Sequence, residues 1–219
     1  MSDKNSCHSS LFEAAEKGCT ECVKLFMDKE ARLRNKWEET ALMYAAKKGH
    51  LECVKLLMNK EAGLRDCDGN TAFMYAAHYG HLECVKLLMN KEGNIKSKYG
   101  YTALMYAAKY GHYDCVKFLI NKEAGLQESG VGRTALICAI EMTQLECVKL
   151  LLPYEYKIKD NKGKSVLDYA KWLNRDIDEY GHKIERCGCN HEMCLSCVCS
   201  NKNINIYNAV CDYVRENSL

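Results

Sequence analysis

The stretch TALMYAAKKGHLECVKLLMNKEAGLRDCDGN, beginning at Thr40, returns at Thr71, Thr102 and Thr134, and in degraded form at Ser9 and Ser165. Its starts are 31, 31, 31, 32 and 31 residues apart, so about four-fifths of the 219-residue chain is one unit present six times. A fixed period of roughly 20–50 residues marks a solenoid, in which each copy packs only on its neighbours. A stacked array presents a long surface and encloses no reaction chamber, which directs the functional expectation toward binding.

Within the unit from Thr40, Leu42, Met43, Ala45 and Ala46 make an apolar face at helical spacing, and Gly49 ends a short first helix. His50 reopens the chain into a longer helix whose apolar positions are Leu51, Cys53, Val54, Leu56, Leu57 and Met58. Glu52 and Lys55 stand three apart on its outer side, where they can pair weakly. Asp66-Cys67-Asp68-Gly69-Asn70 reads as a turn, and Thr71 is placed to cap the next first helix through its hydroxyl. Helices this short are marginal alone in water, so stacked copies must bury one another's apolar faces. The alanine pairs Ala45/Ala46, Ala76/Ala77 and Ala107/Ala108 let first helices approach closely. The expected fold is an all-α solenoid of six units spanning residues 9–185, after an N-terminal extension 1–8 and before a tail 186–219.

These residues resemble the ankyrin repeat, a β-turn followed by two antiparallel helices. Asp66 to Thr71 and Asp160-Asn161-Lys162-Gly163-Lys164-Ser165 carry the turn motif. Gly49-His50, Gly80-His81 and Gly111-His112 carry the junction between the helices, and the similarity spans about residues 9–180. The family's proline after the threonine is Ala41, Ala72, Ala103 or Ala135 here, and its histidine two positions later is Met43, Met74, Met105 or Ile137. The unit is two residues shorter than usual, and such T-A-L-M-Y-A-A arrays are similar to the expanded ankyrin-only proteins of some protists, labelled protein 21.1. The fifth unit replaces Gly-His by Thr143-Gln144 and carries an extra residue near Gly130, which puts its turn geometry in question. A polar second helix in the sixth unit (Asn174, Arg175, Asp176, Asp178, Glu179) is what a capping repeat needs.

A net charge of +2, from 31 basic and 29 acidic residues, gives no reason to expect nucleic acid or an anionic membrane as partner. The start MSDKNSCHSSLFEAAE lacks the apolar core of a signal peptide, and no apolar run approaches the roughly 18 residues of a spanning helix. The expectation is a monomeric cytoplasmic protein in a reducing compartment, with its 15 cysteines as thiols or metal ligands. Cys22, Cys53, Cys84, Cys115 and Cys147 hold one position in successive units, too far apart across repeats to share a metal, and read as core. His50, His81 and His112 read as junction hydrogen-bonders. Gly163-Lys164-Ser165 only imitates a phosphate loop, since Ile158 stands where that motif demands glycine. Glu52, Glu83, Asp114 and Glu146 recur with Lys55, Lys86, Lys117 and Lys149 as a solvated face, and no catalytic constellation emerges, so no enzyme is expected.

Positions that vary between otherwise identical units are free of the packing code. In the ankyrin fold, which this array resembles, turn tips and first helices line a concave groove. Here those positions hold Lys36, Trp37, Lys47, Lys48, Asp68, Asn70, His78, Tyr79, Lys98, Tyr99, Tyr101, Lys109, Tyr110, Arg133 and Glu141. An aromatic and basic surface suits a protein partner, which makes the chain a scaffold or adaptor. The tail differs: Cys187, Cys189, His191, Cys194, Cys197 and Cys199 crowd into thirteen residues, and four of them suffice for one tetrahedral zinc. The kernel from Cys189 to Cys197 resembles the middle of a RING finger, but the flanking Cys-x-x-Cys pairs are missing. Two alternatives therefore stay open: a ubiquitin ligase whose repeats select substrate, and a zinc-stabilised structural cap. Beyond it, Tyr207, Val210, Cys211 and Val214 form the stripe of a short closing helix.

Overall fold

The computed structural model of the protein describes residues 8–173 and 195–217, without the side chains of 195–201. Among these residues there are twelve α-helices and no strand. Five helix pairs succeed one another: α1 (Leu11–Lys17) with α2 (Thr20–Glu30), α3 (Ala41–Lys48) with α4 (Leu51–Glu61), and α5 (Ala72–His78) with α6 (Leu82–Glu92). They continue as α7 (Ala103–Tyr110) with α8 (Tyr113–Glu123) and α9 (Ala135–Glu141) with α10 (Leu145–Glu155), followed by α11 (Val166–Leu173) and α12 (Leu195–Glu216). No helix among the described residues is long and apolar enough to cross a membrane.

Each first helix begins where a hydroxyl satisfies an orphan backbone donor. The side chains of Ser10, Thr40, Thr102 and Thr134 accept from the backbone N–H three residues on. Thr71 departs from the expectation: it sits at the same extended N-cap of α5 but makes no bond to the helix. Met43, in the place of the family's histidine, is buried, and its sulfur accepts from Thr40 N–H at 3.4 Å.

The helix junction is built across units. Gly18, Gly49, Gly80 and Gly111 end their helices with φ between +75° and +78°, the left-handed region where a side chain is strained. A Cβ at Gly49 would lie 2.5 Å from Nδ1 of His81, and one at Gly80 equally close to His112. The histidine of one unit thus roofs the glycine of the unit before it. His50, His81 and His112 place Nε2 2.7–3.0 Å from the carbonyls of Glu16, Lys47 and His78. The expected junction bond is therefore an inter-unit bond. In the fifth unit Thr143 takes φ +57°, and Gln144 covers Gly111 as histidine does elsewhere, so the junction survives the substitution.

The core is one continuous layer. Ala45, Ala46, Ala76, Ala77, Ala107 and Ala108 have no exposed surface, and successive first helices pack more tightly than successive second helices. Cys22, Cys53, Cys84, Cys115 and Cys147 are buried in the same layer, and burial pushes the last four thiols up to about 11. At the C-terminal end α12 packs on α10 and α11, burying Ile206 and Val210, with Tyr207 and Val214 of the predicted stripe against the core.

Candidate functional site

Two polar networks hold the turn tips and first helices as a preorganised face. The first is a ladder of glutamates ending the second helices. Glu30, Glu61, Glu92, Glu123 and Glu155 each accept, at 2.7 Å, a backbone N–H at the start of their own unit's first helix (Leu11, Leu42, Phe73, Leu104 and Leu136). The other oxygen of Glu61, Glu92 and Glu155 accepts from Arg32, Gly63 and Gly125 N–H in the preceding unit, at 2.8–2.9 Å. One carboxylate thereby ties two helices and the neighbouring loop. Burial raises the pKa of Glu92, Glu123 and Glu155, and the backbone donors only partly offset it.

The second network shapes the turns. Asp66 Oδ1 accepts from Asp68 and Asn70 N–H, and Asp160 does the same for Lys162 and Lys164. In the fifth unit, whose turn carries the extra residue, a longer acid serves: Glu128 accepts from Gly130, Val131 and Gly132. Successive tips are stitched by Cys67 N–H to Trp37 O, Lys98 N–H to Asp68 O, Ser129 N–H to Tyr99 O and Asn161 N–H to Val131 O, all 2.8–3.0 Å. Recurring tyrosines brace tip against helix. The Tyr75 and Tyr169 hydroxyls donate to Asp66 and Asp160 at 2.6 and 2.8 Å, and Tyr106 to Asn70 at 2.8 Å.

The candidate binding residues divide on this frame into exposed aromatics and cations, of which Lys47, Lys48 and Arg133 are paired with acids. Trp37, Tyr79, Tyr99 and Tyr110 leave 51, 48, 54 and 42 % of their surface open. Lys36 Nζ stands 4.1 Å over the Trp37 ring. His78 stacks on Tyr110 at 4.0 Å, Tyr79 at 4.5 Å and Tyr106 at 5.6 Å. Burial lowers the pKa of His78 to about 4, with His112, Lys109 and Lys47 adding repulsion. Lys109 stands 5.9 and 5.7 Å from the Tyr101 and Tyr110 rings.

The basic side of the expected surface is partly neutralised from within. Lys47 pairs with Glu39 and lies 4.2 Å over the Tyr75 ring, and Lys48 reaches Glu16 at 3.4 Å. Burial disfavours the charge on Glu39, but hydrogen bonds from Lys47 and Asn35 hold its pKa low. Arg133 is shared between Glu128 at 3.5 Å and Glu141 at 3.2 Å. What the face offers outward is aromatic area, with Lys36 and Lys109 beside the rings.

Of the tail ligands, Cys187, Cys189, His191 and Cys194 lie outside the described residues, as do the side chains of Cys197 and Cys199. Among the described residues a different group has the makings of a metal site: ligand atoms of His8, Cys19 and Cys22 lie within 4.8 Å of one another. Its signal in the sequence is Cys19-x-x-Cys22, masked because Cys22 belongs to the buried column.

A family model described as ankyrin repeats (3 copies) matches residues 11–99, 59–129 and 120–180, well over half of the chain. No curated protein matches.

Proposed function

The chain belongs to the ankyrin-repeat family, and from that premise we propose that it is a non-enzymatic adaptor docking a protein partner on the face formed by its turn tips and first helices. Ankyrin repeats are protein–protein interaction modules, and the observation that carries the assignment to this face is the row of exposed aromatics. Trp37, Tyr79, Tyr99 and Tyr110 keep about half of their surface open on backbone stitched from unit to unit. Large rigid rings on a preorganised frame lose little entropy on binding, and aromatic anchors dominate interface energetics. The tighter packing of the first helices supports a surface that curves around its partner. The near-balanced charge of +2 favours a protein over nucleic acid or membrane. The 31-residue T-A-L-M-Y-A-A unit supports a place among the expanded ankyrin-only arrays.

The test is quantitative affinity capture with the full chain and a Trp37→Ala/Tyr79→Ala/Tyr99→Ala/Tyr110→Ala variant of equal thermal stability. The expected result is loss of proteins enriched by the wild type. An unchanged set would refute this face as the binding surface.

A further inference from the structure

We propose that His8, Cys19 and Cys22 form a binding site for one zinc-class divalent cation that clamps the N-terminal segment onto the first repeat. The three residues come from separate places: the segment before α1, the N-cap of α2, and the first turn of α2. Their ligand atoms lie within 4.8 Å of one another. Tetrahedral zinc, with bonds of about 2.0–2.3 Å, sets its ligands roughly 3.5–3.8 Å apart. Closing the gap needs about 1 Å, within rotamer adjustment for two cysteines and a histidine.

Three further observations point to a ligand. The His8 Nδ1 atom is buried with no hydrogen-bond partner; the nearest carboxylate oxygen, Glu13 Oε1, is 3.7 Å away. A buried ring nitrogen without a partner is costly unless something meets it. The other oxygen of Glu13 is held by the Ser9 N–H and hydroxyl at 2.9 and 2.8 Å, which keeps this carboxylate from closing on the ring nitrogen.

The second observation is that Cys19 breaks the repeat at a place where the repeat's own chemistry cannot operate. Its counterparts are His50, His81 and His112, each reaching a carbonyl of the preceding unit. Among the described residues no unit precedes the first, so a histidine there would find no such acceptor among them. The position holds a thiol instead, spaced Cys-x-x-Cys from the column cysteine. Third, both thiols sit within four residues at the start of one 11-residue helix, so a single backbone element fixes their spacing. Two thiolates and one neutral imidazole are a soft, zinc-preferring donor set, with a fourth position for solvent.

The test uses the full chain, reduced and metal-free, with zinc alone as probe and site-resolved alkylation as readout. This separates Cys19 and Cys22 from the tail cysteines. Zinc should slow alkylation of Cys19 at least roughly tenfold, and a chelator should restore it. His8→Ala, which lies outside every helix and should leave the melting curve intact, should abolish the protection of Cys19 and lower bound zinc by one equivalent. His8→Cys should restore both. Protection that is indifferent to zinc, that survives His8→Ala, or that yields to a reductant but not to a chelator would overturn the site.

Discussion

The two ends of each second helix carry the same residue type and lead opposite lives. Glu52 opens α4, two-thirds exposed and 2.6 Å from Lys55. Glu61 closes the same helix, 1 % exposed, with its carboxylate on backbone N–H groups of Leu42 and Arg32. The helix dipole favours an acid at the first position and opposes it at the second. An acid repeated against the dipole, without a nearby cation, must be held by something specific. The solvated pair could be lost from the array with little consequence, whereas the buried one joins two helices and the previous unit's loop.

The largest effect that can break this comparison is expected at Glu92. Glu92→Ala leaves the buried Phe73 N–H and the loop Gly63 N–H without acceptors and should cost about 2–4 kcal/mol. Glu83→Ala, at the exposed end of the same helix and 2.7 Å from Lys86, should stay within about 0.5 kcal/mol. Denaturant midpoints of the two variants measure both. Equal losses would show that the buried carboxylate is not what ties neighbouring units.

Next comes the junction, where the same distinction between local and inter-unit contacts can be sharpened. Gly49→Ala forces a side chain into φ +75° and drives its Cβ against the His81 ring, for a loss of about 1–3 kcal/mol. His81→Ala alone removes the bond to Lys47 O and should cost about 1 kcal/mol. The double variant should be less unstable than the sum, by about 1 kcal/mol, because the clash disappears with the ring. Strict additivity in a double-mutant cycle would mean that the glycine answers only to its own backbone.

Much of this was legible in the sequence, and the parts that were not have identifiable physical reasons. The 31-residue period, the alanine pairs and the Gly-His junction specify helices, stacking and an all-α array. The buried glutamates recur as faithfully as the cysteines, at Glu30, Glu61, Glu92, Glu123 and Glu155, yet charge reads as surface until its position against the dipole is noticed. Pairing between turn and helix is harder to read. Nothing local to Lys47 or Arg133 says that Glu39, Glu128 and Glu141 neutralise them, so the face looked more basic than it is. Cys19-x-x-Cys22 is inconspicuous in the sequence because Cys22 also belongs to the buried column.

The smallest effect concerns His78, a residue of the open face that is half-buried by the rings around it. Tyr79, Tyr106 and Tyr110 stack on it, while Lys47, Lys109 and His112 repel a second positive charge, and its pKa falls from 6.5 to about 4. The unfolded chain therefore binds a proton between those values that the folded chain refuses, so stability contributed at His78 is complete above about pH 6.5 and is lost as pH falls toward about 4. The loss, discounted for solvent access and for attraction between an imidazolium and the tyrosine faces, should be about 1 kcal/mol. His78→Phe keeps the stack and removes the titration. The buried glutamates, whose raised pKa values give the opposite slope, are common to both proteins and cancel in the difference. Melting curves of the two proteins across this range should diverge steadily on acidification, with the wild type falling behind. A constant gap would place His78 electrically with the solvated residues, and the aromatic cluster would then be a looser surface than its 4.0 Å stacking distance implies.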